Sequence, residues 1–197
     1  MTKEKLLLTI ATHGYNVGFG AKKNFASHDI VVKLPGWIGF ITLAIGILQL
    51  GYTSLGCNKE LSATIILVSV ASLYLSAYNA RVQDYDKEGI RLTTLFNRLR
   101  DLYYTVQAKE DDEFVEEQEK LNIILNELYS TTISKQVFMS QWFAHFKFFY
   151  EMQIDWVNEQ LHFRFFKDKL PNSIKIFLLI LIFIAIAITS YEYFFNI

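Results

Sequence analysis

The stretch that decides the fold reads PGWIGFITLAIGILQLGY (35–52), TSLGCNKE (53–60) and LSATIILVSVASLYLSAY (61–78). Neither apolar run contains Asp, Glu, Lys, Arg or His. Each run approaches the roughly 20 residues that a helix needs to cross about 30 Å of hydrocarbon. Because a backbone in lipid must satisfy its own hydrogen bonds, we predict two membrane-spanning helices joined by a short turn.

The composition agrees with a chain divided between membrane and water. Of the 197 residues, 52% are hydrophobic and 20% are charged, and the charges avoid the two apolar runs. Residues 1–33 hold five Lys/Arg and two Asp/Glu, whereas residues 81–172 hold 12 Lys/Arg and 16 Asp/Glu. Neither balance is the strongly basic face of a nucleic-acid-binding domain, so we expect no direct nucleic-acid partner.

The segment before the first run is basic and rich in glycine. Lys22, Lys23 and Lys33 precede the apolar run, which by the positive-inside rule predicts a cytoplasmic N-terminus. Gly14, Gly18 and Gly20 permit helix breaks or a close approach to another backbone. No strand precedes them, so a flexible or tightly packed entry segment is favoured over a phosphate-binding loop.

Small and weakly polar residues recur at helical spacing in both runs. They are Gly39, Thr42, Gly46, Gln49 and Thr53 in or just after the first run, and Ser62, Ser69, Ser72, Ser76 and Asn79 in or just after the second. Stripes of this kind are where membrane helices meet, so packing of the two helices against each other is the simpler interpretation. The alternative is that the stripes face between protomers and line a water-permeable path.

The helical pattern continues beyond Tyr78. A core-facing band is spaced like heptads and consists of Tyr85, Gly89, Leu92, Phe96, Leu99, Tyr103 and Val106, widened by Leu95 and Leu102. No proline interrupts the chain between Pro35 and Pro171. We therefore predict that the second span continues as one helix to about Lys109. The band needs a partner helix, from this chain or from another subunit.

The acidic run EDDEFVEEQE (110–119) predicts the end of that helix and the start of the next. Asp111 or Asp112 suits an N-cap, and acidic residues suit the positive end of a helix dipole. The next helix has an apolar face formed by Leu121, Ile124, Leu125 and Leu128.

The stretch from Ile133 to Phe166 is unusually aromatic, with basic residues among the rings. Such a mixture suits a layer at the lipid headgroups, a protein core against the long helix, or, least well here, stacking on nucleic acid. Glu159 and His162 have the spacing of one half of a di-iron ligand set, but the second half is missing. We predict no metal site, no cofactor and no catalytic residue, and therefore no enzyme.

A third apolar run, IKIFLLILIFIAIAITSYEYFF (174–195), follows Lys167 and Lys169. Basic residues at its start predict a third span whose C-terminus emerges outside. The predicted fold is an all-α membrane protein with a cytosolic N-terminal segment (1–33), a transmembrane hairpin (34–80), a cytosolic helical region (81–172) and a C-terminal anchor (173–197).

In this order of segments the chain resembles the SLATT family, the two-transmembrane domains that accompany SMODS nucleotidyltransferases and SLOG sensors in bacterial conflict systems. The resemblance covers roughly Tyr15 to Gln107, including YNVGFGAKKNF (15–25) and NARVQDYDKEGIRLTTLFNRLRDLY (79–103). It implies an antiphage effector of the bacterial inner membrane that perturbs the bilayer once an upstream sensor fires, and it brings no catalytic residues with it.

Together these observations predict an oligomeric effector that permeabilises the inner membrane, with Gly39, Thr42, Gly46, Gln49, Ser69, Ser72, Ser76 and Asn79 packing the helices or lining a pore. Its expected partners are the lipid bilayer, further copies of itself, and a nearby nucleotide-second-messenger synthase, reverse transcriptase or other sensor. The alternative function is a membrane-anchored scaffold that recruits a soluble partner through its cytosolic helices.

Overall fold

The computed structural model describes residues 1–52, 58–110, 113–130 and 136–195, and within them the chain is helical and contains no strand. Its helices are α1 (Lys3–Gly51), α2 (Lys59–Ser76), α3 (Val82–Ala108), α4 (Val115–Tyr129), α5 (Ser140–Glu151), α6 (Asp155–Leu161) and α7 (Asn172–Phe195). A 3₁₀ turn (Asn79–Arg81) joins α2 to α3, and one π-helical turn (Phe165–Lys169) precedes α7. The predicted turn between the spans, with Thr53 and Cys57, and the predicted caps Asp111 and Asp112 lie outside the described residues.

The longest element is α1, whose 49 residues extend for about 73 Å at 1.5 Å per residue. It passes through Pro35 without ending. Proline has no N–H to donate to the carbonyl four residues earlier, so Pro35 removes one hydrogen bond from this helix. Helices α2 and α3 together run back along α1 in the opposite direction, because Lys3 Nζ donates to the Lys109 carbonyl at 2.6 Å while Gln49 lies beside Ser62.

Residues 6–21 of α1 and helices α3 to α6 share one hydrophobic core. We call these four helices, together with residues 3–31 of α1, the core bundle. The band predicted on α3 is confirmed, since all of its nine members are buried. Their partner is α1 of the same chain, which answers the question that the sequence left open. In α4, Leu121 and Ile124 are buried, and Leu125 and Leu128 are partly buried against the same core.

Glycines bring the helices of the core bundle into close contact. A Cβ added at Gly14 would lie 2.2 Å from Cη2 of Trp156, and one added at Gly18 would lie 2.8 Å from a ring carbon of Phe96. The glycine segment is therefore helical and tightly packed, which is one of the two alternatives that its sequence allowed.

The predicted continuation of the second span into the long helix is wrong, because the chain turns between Ser76 and Val82. The Ser76 hydroxyl donates to the Leu73 carbonyl at 2.6 Å, the acceptor that the Ala77 N–H would use in an α-helix. The Ala77 N–H bonds Tyr74 O instead, and Tyr78 and Arg81 likewise bond three residues back. A serine that bonds the backbone in this way competes with the helical ladder, which here tightens into a 3₁₀ turn.

The apolar hairpin consists of residues 34–51 of α1 together with α2. Both helices contain a window long and apolar enough to cross a membrane, and only 11% and 6% of the residues in these windows are buried. The corresponding helix of a water-soluble core would be mostly buried. A removable signal sequence does not fit α1 either, since its first 31 residues supply part of the core. We conclude that this is a membrane protein.

The aromatic stretch is divided between a core and a surface. Phe148, Phe149, Trp156 and Phe163 pack in the core bundle, whereas Phe143, Phe146 and Tyr150 form an exposed stripe on α5. Helix α5 therefore has one face in the protein and an aromatic face outside it. Helix α7 begins near the start of α5, where Trp142 Nε1 donates to Ser173 Oγ at 2.8 Å.

Candidate functional site

The predicted site residues lie along the apolar hairpin. Gln49 Nε2 donates to Ser62 Oγ at 3.4 Å, which is a polar contact between the two helices near their turn. Asn58 caps the N-terminus of α2, because its side chain accepts a hydrogen bond from the Leu61 N–H at 2.9 Å. The polar stripes of the two helices therefore meet at this end of the hairpin.

Away from that contact, three glycines of α1 have open space where a side chain would stand. A Cβ added at Gly36, Gly39 or Gly46 would meet nothing within 4 Å. Glycine on a membrane helix allows another backbone to approach closely. No described residue of the chain lies over this glycine face, which leaves room there for a molecule outside the chain.

Two hydroxyl groups of the predicted site are bonded to the backbone of their own helices. Thr42 Oγ1 donates to Gly39 O at 3.0 Å and Ser76 Oγ to Leu73 O. Ser69 and Ser76 are exposed on α2, and Ser72 is half-buried. Asn79 lies in the 3₁₀ turn, so the register of α2 ends at Ser76 and does not include it.

An ion cluster joins the core bundle to the start of the hairpin. Asp29 of α1 accepts a hydrogen bond from Lys147 of α5 and lies 2.7 Å from Lys33 Nζ. Burial acts to raise the pKa of the Asp29 carboxyl, but the hydrogen bonds from the two lysines outweigh it and hold that pKa below its ordinary value. The cluster therefore fixes α5 to α1 just before the apolar run begins.

A small second core lies at the same level of the molecule. Its buried members come from α1, the end of α2, the start of α3 and the chain before α5, and they are Ile30, Val31, Leu75, Tyr78, Tyr85 and Val137. The hydroxyls of Tyr74 and Tyr78 are 2.8 Å apart. The turn between α2 and α3 is thus packed against α1 and the segment that precedes α5.

Other polar side chains of the core bundle pair with one another. Ser27 donates to Gln136 Oε1 at 2.7 Å in the core bundle, and Glu88 accepts two hydrogen bonds from the Arg91 side chain. The Glu159 carboxylate accepts from the hydroxyl of Tyr103 at 3.0 Å. Among the described residues, no three His, Cys, Asp or Glu side chains come together where a metal ion could be held.

The Asp29–Lys147 pair was not predicted, and its two residues are 118 positions apart in the sequence. One feature of the sequence pointed to an ion pair at Asp29, because this acid lies alone between Lys23 and Lys33 in a basic segment. The sequence offered no means of choosing its partner among the cations that follow.

Comparison with family models identifies the SMODS and SLOG-associating 2TM effector domain 6, whose model matches residues 1–178. The match covers the core bundle and the apolar hairpin and ends within α7, whose last 17 residues lie beyond it. No curated protein and no solved structure matches the chain at a significant level.

Proposed function

The chain belongs to the SMODS and SLOG-associating 2TM effector domain family, and from that premise we propose that it assembles in the bacterial inner membrane and permeabilises the bilayer when a partner triggers it. Members of this family are two-transmembrane effectors of conflict systems, and the family is not a known enzyme family.

The observation that carries the proposal is the continuity of α1. Residues 3–31 form part of the core bundle, and the same helix continues into the apolar hairpin as far as Gly51. A displacement or rotation of α1 in the core bundle is transmitted to the hairpin, because a helix is stiff along its axis. Helices α2 and α3, which we call the return arm, are separated by the 3₁₀ turn Asn79–Arg81 and can follow such a movement.

Assembly is supported by the open glycine face on α1. Among the described residues, no atom lies within 4 Å of a Cβ added at Gly39 or Gly46, and Ser69 and Ser76 of α2 are exposed to whatever surrounds the hairpin. Exposed hydroxyl and amide groups are costly in hydrocarbon unless they meet polar groups or water. In an oligomer of hairpins, Thr42, Gln49, Ser69, Ser72 and Ser76 would face neighbouring copies and line the path.

We also propose that α7 is a third span and that the core bundle lies on the cytoplasmic side. Helix α7 has 24 residues, about 36 Å at 1.5 Å per residue, which is long enough to cross the bilayer. It begins beside Trp142, at the end of α5 that also approaches the hairpin. With Lys22, Lys23 and Lys33 on the cytoplasmic side, the core bundle faces the cytosol and the C-terminus lies outside.

The trigger is proposed to come from a partner, since the family is associated with SMODS and SLOG proteins. A nucleotide-second-messenger synthase, a reverse transcriptase or another sensor encoded nearby would act on the core bundle. The second candidate function, a membrane-anchored scaffold, is favoured by the exposed aromatic stripe Phe143, Phe146 and Tyr150, which a soluble partner could cover.

The test is entry of a membrane-impermeant dye into cells after induced expression. The double variant Gln49→Leu/Ser72→Leu removes two polar groups from the proposed path, and we expect dye entry to fall at least about tenfold. The matched control is Ile47→Leu/Val70→Leu, which changes exposed apolar residues of the same two helices and should leave dye entry unchanged.

Unchanged dye entry in the polar double variant, at equal membrane abundance, would show that the stripe is not the conducting face. If the wild-type chain admits no dye and the core bundle retains a soluble protein in pull-downs, the scaffold function replaces the effector proposal.

A further inference from the structure

An apolar groove lies where the core bundle meets the hairpin. It encloses about 740 Å³ between α1, α2 and the start of α5. Its apolar lining includes Leu34, Trp37, Tyr74, Phe138 and Phe143. The volume is within the roughly 300–1,000 Å³ of pockets that hold small molecules.

The groove crosses the boundary between polar and apolar surface. Asp29 and Lys33 are the last charged residues of α1 before its apolar run, and Leu34 and Trp37 are among the first residues of that run. Tryptophan and tyrosine are enriched at the level of the lipid headgroups. One end of the groove is therefore at headgroup level and the other is in hydrocarbon.

The polar end of the groove carries an excess of positive charge. Lys33 and Lys147 line it together with one carboxylate, Asp29. An ammonium group has three N–H donors. The side chain of Lys33 is 64% exposed, so it can approach a further anion while it remains paired with Asp29.

We propose that this groove binds one anionic phospholipid, with an acyl chain against Trp37, Tyr74 and Phe143 and the phosphate at Lys33 and Lys147. The ligand must combine an apolar chain with a negative group at a set depth in the bilayer, and an anionic lipid has both. This inference needs only the membrane location of the hairpin and does not depend on pore formation.

Charge argues against α7 of a second copy as the occupant. Helix α7 is apolar along most of its length, but Lys167, Lys169 and Lys175 lie at its polar end with Asp168 as the acid among them. Placed in the groove with that end at headgroup level, it would bring cations to Lys33 and Lys147. Like charges at close range disfavour such a complex.

A bound lipid would connect the two parts of the molecule. Trp37 belongs to α1, Tyr74 to α2 and Phe143 to α5, so one acyl chain would contact all three helices. Their relative positions would then depend on the occupant of the groove as well as on the Asp29 cluster.

The test is native mass spectrometry of the full chain in detergent, with phosphatidylglycerol or phosphatidylcholine of the same acyl chains added at equal concentration. We expect phosphatidylglycerol to be retained about fivefold more than phosphatidylcholine. Lys33→Gln should remove this preference, and Lys59→Gln, which lies at the far end of α2, should keep it.

Two further variants test the apolar part of the groove. Ala71→Phe fills it and Phe138→Ser removes an exposed part of its lining, so both should lower retention of either lipid, the first by about tenfold or more. Ala63→Phe is the matched control, because Ala63 is exposed on α2 but does not line the groove. Phe138 is 75% exposed, so its replacement is expected to leave folding intact.

Equal retention of the two lipids by the wild-type chain would overturn the proposal. So would retention that Ala71→Phe and Phe138→Ser leave unchanged. Loss of a dimer, without loss of bound lipid, in those two variants would assign the groove to a second copy of the chain and would also overturn it.

Discussion

The indole ring of Trp156 lies directly against the backbone of Gly14. A Cβ at Gly14 would come within 2.2 Å of Cη2 of that ring, and Trp156 is only 2% exposed. This contact joins α6 to the first part of α1, at the end of the core bundle away from the hairpin. It requires glycine at position 14 because of the space available, since no glycine among the described residues has a positive φ.

Gly14→Ala is therefore expected to lower the free energy of unfolding by about 1–2 kcal/mol, because overpacking a buried ring exceeds the helix propensity gained from alanine. Gly20→Ala is the control on the same helix, where the nearest atom is the mobile Leu92 Cδ1 at 3.3 Å. Thermal unfolding in detergent, followed by circular dichroism, measures both. Equal stability of the two variants would contradict the close contact.

The continuity of α1 predicts that an insertion into α1 and an insertion between α2 and α3 have different effects. One alanine inserted after Val32 rotates the rest of α1 by about 100° and advances it by about 1.5 Å relative to the core bundle. The same insertion after Ala80 falls within the existing turn and can be absorbed there. We expect dye entry to fall about tenfold in the first case and to change little in the second. The opposite result would assign transmission to the return arm.

The Asp29 cluster predicts a stability difference that depends on pH. Asp29→Asn leaves Lys147 without its charged partner and should cost about 1–2 kcal/mol at pH 7. Because the folded-state pKa of Asp29 is depressed, its contribution is present above the unfolded value of about 3.9 and is lost as the pH falls through the lower folded value. The gap between wild type and Asp29→Asn should therefore close in acid.

Urea unfolding at pH 7 and at successively lower pH measures this gap. Asp101→Asn is the control, because the Asp101 side chain is 74% exposed and its nearest cation is 3.9 Å away. A gap between wild type and Asp29→Asn that stays constant through the acid range would show that the carboxylate charge does not supply the stability.

The single cysteine allows the orientation to be tested. Cys57 lies between the two spans, and a membrane-impermeant maleimide should label it from outside intact spheroplasts. In a Cys57→Ser background, Ile197→Cys should be labelled from outside and Thr2→Cys only after lysis. Protection of Ile197→Cys in intact spheroplasts, with labelling after lysis, would mean that α7 does not cross the bilayer.

The apolar runs and the apolar band could be predicted from sequence because each depends on local spacing. The nine residues of the band on α3 recur at helical intervals, and such a pattern gives the same face wherever the helix packs. The acidic run likewise predicted the end of α3, which closes at Ala108. The polar stripe of the hairpin stays a prediction, since its proposed neighbours are other copies of the chain.

Which helix runs unbroken from the core bundle into the hairpin could not be predicted in the same way. Pro35 suggests a helix boundary, and no proline lies between Leu61 and Lys109. The structure shows the reverse, because α1 passes through Pro35 and the return arm turns at Asn79. At the turn of the return arm the Ser76 hydroxyl donates to Leu73 O, and Tyr78 packs in a small core with residues of α1. Neither interaction is encoded in hydrophobic periodicity.

By itself the sequence indicated a membrane protein, its helical class and the buried face of α3, because the free energy of moving a side chain out of water depends on residue type, and residue spacing decides which face that side chain lies on. Tertiary structure alone decided which helix joins the core bundle to the hairpin, which cation pairs with Asp29 and where the lipid-sized groove lies. Each of these depends on residues distant in the chain, such as Asp29 and Lys147, that meet only after the helices have packed.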